Sequence, residues 1–172
     1  MAGSQGGAPQ ADRSTECVSR VRGIHKLALG GAGAAMLATA VAAHYEGLRL
    51  HAYQDVGGVP TICYGRTQGV YPGMTATQAQ CKAWLTQEMA TTERYVVAIV
   101  GKQPDPRIAA LTDACYNLGR KGCRKILDRI AAGNIRGGCD SLMWYDKAAG
   151  QVLPGLAKRR AAERALCLEG VQ

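Results

Sequence analysis

The sequence predicts an α+β domain, predominantly helical, in which a long helix joins a small β-hairpin lobe to a helical C-terminal lobe, with a cleft between them. Three observations carry this expectation. Gly57-Gly58 is a turn signal with the strand formers Val59, Ile62 and Tyr64 around it. Thr75-Ala76-Thr77-Gln78 reads as a capping box opening a helix that runs to about Val100, where Gly101 and Pro104 close it. Shorter helical stretches then follow one another, separated by Gly-rich turns.

The chain starts with a polar leader, residues 1–26, whose first fifteen residues are rich in Gly, Ala and Ser without an apolar period and are expected to be disordered. Arg20, Arg22 and Lys26 precede residues 27–43, a stretch of seventeen residues without a charge, eleven of them Ala or Gly. That length is at the lower edge for crossing a bilayer. Each Leu or Val favours insertion by only about 0.3–0.6 kcal/mol, and Ala and Gly by less, so such a span enters a membrane but is held there weakly. The basic flank predicts a cytoplasmic N-terminus and a following domain on the far side. Three readings fit: a cleavable signal peptide ending at Ala38-Thr39-Ala40 or Ala40-Val41-Ala42, a buried Ala-rich core helix, or a weak membrane anchor that later lets go.

Residues 44–172 read as the globular domain. They hold seventeen of the 21 Lys and Arg and eleven of the 13 Asp and Glu, so most of the +8 net charge lies there. Such charge suits an anionic partner, whether DNA, a lipid surface or acidic cell wall, and does not choose among them. Six of the seven cysteines lie in this part, and Cys17 is the odd one upstream. None forms a Cys-x-x-Cys pair, so zinc or thioredoxin-like chemistry has no spacing support, and no metal or cofactor is expected. The even set points to disulfides in an oxidising compartment, with buried free thiols as the alternative. Six cysteines allow fifteen pairings. The expected set is Cys63–Cys81 between hairpin and long helix, Cys115–Cys123 across the Leu118-Gly119 turn, and Cys139–Cys167 clamping the terminal helix.

Residues 44–65 read HYEGLRLHAYQDVGGVPTICYG. Tyr45, Leu48, Leu50 and Tyr53 fit one face of a short helix ending near Tyr53, followed by the hairpin. Glu46 then sits on the helix, Asp55 just before the turn and Thr61 on the return strand. A carboxylic acid on a helix and a carboxylate on a hairpin can flank a cleft, as glycoside hydrolysis requires: one protonates the leaving oxygen and the other activates water. Further on, Asp105-Pro106 offers a cap and a first-turn proline for a helix to about Leu118. Others are expected near 123–132, 135–145 and 156–168.

The spacing Glu-x8-Asp-x5-Thr, within Glu-Gly-Leu-Arg-Leu…Tyr…Asp…Gly…Thr-Ile-x-Tyr-Gly, resembles the catalytic stretch of glycoside hydrolase family 24, the phage-type lysozymes. The resemblance extends over about residues 44–170 through Tyr71-Pro72-Gly73-Met74-Thr75, Tyr116-Asn117-Leu118-Gly119, and Leu153-Pro154-Gly155-Leu156 before Arg159-Arg160-x-x-Glu163-Arg164. It implies a lysozyme-like two-lobed fold that hydrolyses peptidoglycan with inversion, with Glu46 as general acid and Asp55 and Thr61 positioning water. Arg159 or Arg160 is then the basic residue near the Glu, and Asn117 a sugar-binding residue of the cleft wall. A protonated Glu46 calls for partial desolvation, which a nearby Arg opposes. Residues 27–43 look like the signal-arrest-release segment of certain phage endolysins, which implies a periplasmic enzyme first tethered to the inner membrane. The rivals are a lytic transglycosylase, against which Asp55 and Thr61 argue, and an inactive basic anchored cell-wall-binding protein. His44 and His51, seven apart, are expected on one helix face. Lys158-Arg159-Arg160 has few aromatics beside it, so it reads as a solvated helix face rather than a nucleic-acid site. The chain is expected to act as a monomer on peptidoglycan.

Overall fold

The computed structural model describes residues 33–55, 57–148 and 150–171. The leader 1–26, with Cys17 and His25, and residues 27–32 lie outside the described residues. The elements are α1 (Ala34–Glu46), β1 (Arg49–Gln54), β2 (Pro60–Cys63), α2 (Gln78–Val100), α3 (Asp105–Ala131), α4 (Ile135–Asp140), a 3-10 turn (Ser141–Tyr145), the short strands β3 (Lys147–Ala148) and β4 (Gln151–Val152), and α5 (Pro154–Cys167).

Two apolar cores define two lobes. Ile62, Cys63, Ala76 and Cys81 form the small one, beneath the antiparallel β1–β2 hairpin. The larger one collects α1, α2, α3 and α5 with the segments between them. Helix α2 belongs to both, giving Cys81 to the small core and Leu85, Met89, Val96 and Val100 to the large one. It therefore fixes one lobe relative to the other. The Cys63–Cys81, Cys115–Cys123 and Cys139–Cys167 disulfides, the three pairs expected, fasten hairpin to α2, the two halves of α3, and α4 to α5.

Several local expectations are corrected. The helix bearing Glu46 does not run on to Tyr53. It stops at Glu46 because Gly47 adopts φ 69°, and residues 49–54 pair as a strand. His44 and His51 therefore lie on different elements rather than one helix face. In the other direction the same helix reaches back to Ala34, so the globular fold starts before residue 44. Ala34, Leu37, Ala38, Val41 and Ala42 are buried in the large core. Residues 34–43, expected within the membrane segment, are thus packed as an Ala-rich core helix in this fold. Among the described residues no helix is long and apolar enough to cross a membrane.

The capping box lies two residues later than expected, at Thr77 and Gln80. Thr75 is taken up in a bridge to His51, while the Leu50 carbonyl accepts from the Ala76 amide. The stop at Gly119 is a kink: Gly119 takes φ 69°, and a second helical run continues the same element to Ala131. The stretch 135–145 is α4 followed by the 3-10 turn, and the β3–β4 hairpin has no counterpart in the sequence reading.

Candidate active site

Glu46 ends α1 and faces the junction of the two lobes. Its Oε1 accepts from Arg159 Nη1 at 2.5 Å, and Asn117 Nδ2 stands 3.5 Å from the same oxygen. Its Oε2 faces Gly65, just after β2, where a Cβ would come within 3.4 Å of it. Gly65 also has φ 87°, so a side chain there is excluded twice over. The Glu46 side chain keeps 22% exposure while Arg159 keeps 4%, so the acid reaches solvent and its arginine does not.

Arg159 is aimed from behind. Its Nε and Nη2 donate to the two oxygens of Asp113 at 3.0 and 2.9 Å, a two-pronged grip that leaves Nη1 for Glu46. The Tyr45 ring lies 5.7 Å from the guanidinium carbon. Despite the burial, the carboxylates of Asp113 and Glu46 hold the Arg159 guanidinium above its usual value. Arg160 does not touch Glu46. Its Nη2 donates to Asn117 Oδ1 at 2.8 Å, which turns the Asn117 amide nitrogen toward Glu46. The arginine on the acid is therefore Arg159, with Arg160 one contact further back. Both are buried, which corrects the solvated helix face expected for Lys158-Arg159-Arg160: only Lys158 is exposed.

A cleft of about 700 Å³ opens from Glu46 between the lobes, lined by the Tyr64–Gly69 loop, α2 and the first half of α3. On its wall Arg66 is ion-paired with Glu88, and the Tyr116 hydroxyl lies 3.1 Å from both Glu88 Oε2 and the Tyr64 carbonyl. Burial, reinforced by the Glu88 carboxylate, pushes the Tyr116 hydroxyl far above its ordinary range, so it stays a donor. The ring of Trp84 backs Arg66, 5.1 Å from the guanidinium carbon. These contacts tie the loop after the hairpin to both long helices.

Glu46 and Asn117 line this cleft, whereas Asp55 and Thr61 are not among its described lining residues. They sit together at the hairpin turn. Asp55 Oδ1 accepts from the Gly57 and Val59 amides at 2.8 Å each, and the Thr61 hydroxyl donates to the Val59 carbonyl at 2.9 Å. One carboxylate oxygen thus shapes the turn, while Thr61, paired with Tyr53 across the ladder, is buried. Among the described residues no His, Cys, Asp and Glu cluster has metal-binding geometry.

Sequence reasoning did not single out Asp113, Glu163, Arg66, Glu88 or Tyr116 as part of the site. The signal for Asp113 was present: one acid within the otherwise apolar or uncharged run Ile108–Cys115, all of it buried. Glu163 likewise stands four residues after Arg159 and three after Arg160, on one helix face.

A family model described as phage lysozyme matches residues 43–163. The SAR-endolysin of bacteriophage PS119 is 39% identical over 131 residues, which are 74% of this chain and 78% of that protein. Among solved structures, the active form of the P1 phage endolysin Lyz superposes with a TM-score of 0.71 at 28% identity, covering 97% of this chain and 98% of that one. The secreted inactive form of P1 Lyz covers 61% of this chain and 77% of its own, with a TM-score of 0.50 at 28% identity. The chain belongs to the phage lysozyme family.

Proposed function

We propose that this endolysin is a muramidase, hydrolysing the β-1,4 bond between N-acetylmuramic acid and N-acetylglucosamine with inversion at the anomeric carbon. The observation that carries the reading is the two-sided environment of Glu46. Oε1 faces the donors Arg159 and Asn117, so a proton on this carboxyl resides on Oε2, which faces Gly65 and the cleft. That is the oxygen able to protonate a leaving glycosidic oxygen. As the bond breaks, Glu46 becomes a carboxylate, and the Arg159 N–H already on it stabilises the charge that develops. Asp55 and Thr61 hold the attacking water, Asp55 through Oδ2 and Thr61 through its hydroxyl oxygen. Asn117 binds the sugar. The basic surface suits the anionic cell wall.

Residues 27–43 hold the newly made enzyme at the inner membrane, with the N-terminus in the cytoplasm. Release into the periplasm lets 34–43 fold as the first turns of α1. The greater likeness to the active than to the inactive form of P1 Lyz supports reading this fold as the released state. A cut near residue 43 would remove five core residues of α1, so intact release is favoured over signal cleavage. The mass of the periplasmic enzyme tests that: a chain starting near residue 43 excludes release. For the chemistry, wild type is expected to clear chloroform-treated Gram-negative cells and Glu46→Gln to fail. Equal clearing by both removes Glu46 as the acid, and 1,6-anhydro ends in the products would indicate a transglycosylase.

A further inference from the structure

Past the kink at Gly119, the second run of α3 turns a basic face to solvent. Residues 120–129 hold five bases and one acid, which is four of the six excess positive charges of residues 44–172. Cys123, Ile126, Leu127 and Ile130 are buried, while Arg120, Lys121, Arg124, Lys125 and Asp128 are exposed, so the outward half of the helix carries the charge. Asp128, the one acid, is taken by Arg124 Nε at 2.7 Å. Among the described residues no carboxylate pairs with Arg120, Lys121, Lys125 or Arg129. Two of these bases rest on rings from neighbouring elements instead. Arg120 lies over Tyr95 of α2, 4.8 Å from the ring centroid, and Arg129 lies over Trp144 of the 3-10 turn at 4.6 Å. Trp144 is nonetheless 62% exposed, although tryptophan is mostly covered in folded proteins. A guanidinium stacked on a ring keeps its N–H edges for an acceptor from outside.

We propose that this face is a second binding surface for peptidoglycan, outside the cleft, which takes the free carboxylates of the peptide stems that branch from the glycan strands. The inference rests on peptidoglycan being the substrate. Asn117 lines the cleft and Arg120 follows it by three residues, so their Cα atoms lie at most about 11 Å apart. From Arg120 the face runs about 14 Å along the helix to Arg129. A strand seated in the cleft thus brings its stems within reach of these bases. Guanidinium and ammonium groups match carboxylates, and Trp, Tyr and Arg are the side chains that most often anchor interfaces. A lipid surface fits less well. A helix lying in one inserts apolar side chains, and residues 120–129 expose none that is large. The contact holds the enzyme on the wall between cuts, through an attraction that raises local concentration and fades with salt.

Binding and turnover test this separately. The double variant K121Q/K125Q removes two exposed charges from the face, and K82Q/K102Q removes two exposed charges elsewhere. Sedimentation with purified Gram-negative sacculi is done in a Glu46→Gln background, which spares the polymer. At about 0.1 M salt K121Q/K125Q should bind about fivefold more weakly than its parent, the effect of two exposed ion pairs. At about 1 M salt, where screening acts within about 3 Å, the two should bind equally. K82Q/K102Q should bind as the parent does. Sacculi stripped of their stems by an amidase should not distinguish the variants. With Glu46 intact, K121Q/K125Q should raise KM on sacculi about fivefold and leave kcat and the urea midpoint unchanged. On soluble glycan without stems, both constants should match the parent. The inference is overturned by equal binding of parent and K121Q/K125Q to intact sacculi, which marks a merely solvated face. An equal loss in K82Q/K102Q, reporting net charge alone, overturns it too, as does a loss that persists on stripped sacculi. A loss seen only on phosphatidylglycerol vesicles replaces the wall by a lipid surface. Sugar released by the Glu46-intact parent reports the muramidase reading by itself: no release ends that reading, while sedimentation still decides the face.

Discussion

Replacing Ala38 by Leu tests whether one stretch of chain serves in turn as membrane segment and core helix. Ala38 has no exposed surface and lies in the large core with residues of α2 and α3. Adding three carbons to a filled core costs about 1–3 kcal/mol. The same leucine favours membrane insertion by about 0.3–0.6 kcal/mol. Both effects push the same way, so the balance between released and tethered enzyme moves by about 1.3–3.6 kcal/mol, roughly tenfold to several-hundredfold. Ala40, half-buried on the outer side of α1, is the control. There Leu adds the membrane gain with little packing cost, roughly a twofold shift. Fractionating induced cells and probing inner membrane and periplasm for the enzyme measures the balance directly. Ala38→Leu should stay in the membrane and delay lysis, while Ala40→Leu should distribute nearly as wild type does. Equal distributions for the two would refute the reasoning, because a segment that never enters the core has no cause to distinguish these positions.

The disulfides should differ in weight. Cys139–Cys167 spans 28 residues and Cys115–Cys123 spans 8, so loop entropy assigns them about 3.6 and about 2.5 kcal/mol. Replacing the first pair by Ala should lower the urea midpoint further than replacing the second, and the reverse order would contradict this account. Stability should also vary with pH through Glu163. Its proton is held well above the ordinary glutamate range in the folded state and released in the unfolded one. Stability therefore falls as pH rises above the ordinary glutamate value, until the folded-state value is reached. Glu163→Gln should remove that decline, a slope difference of about 1.4 kcal/mol per pH unit within the window. Parallel wild-type and variant curves from urea unfolding would refute a protonated Glu163.

What could be read directly from the chain was what neighbours in sequence dictate. Gly57-Gly58 specified the turn, Thr75 to Gln78 the start of α2 within two residues, and the spacing from Glu46 to Asp55 and Thr61 the family. These signals are short-range, since a cap, a turn or a motif is complete within a few residues. Where a local pattern misled, a longer-range contact had overruled it: Thr75 left the capping box to pair with His51, and residues 49–54 left the helix to pair with β2. Only the tertiary structure decided burial. Lys158, Arg159 and Arg160 are alike as a sequence, yet packing of α5 on α3 leaves the first in water and drives the other two onto Asp113, Glu163 and Asn117. The partner of Glu46 lies 113 residues away. No local rule reaches that far, because which charge is buried, and against what, depends on faces that meet only once the chain has closed.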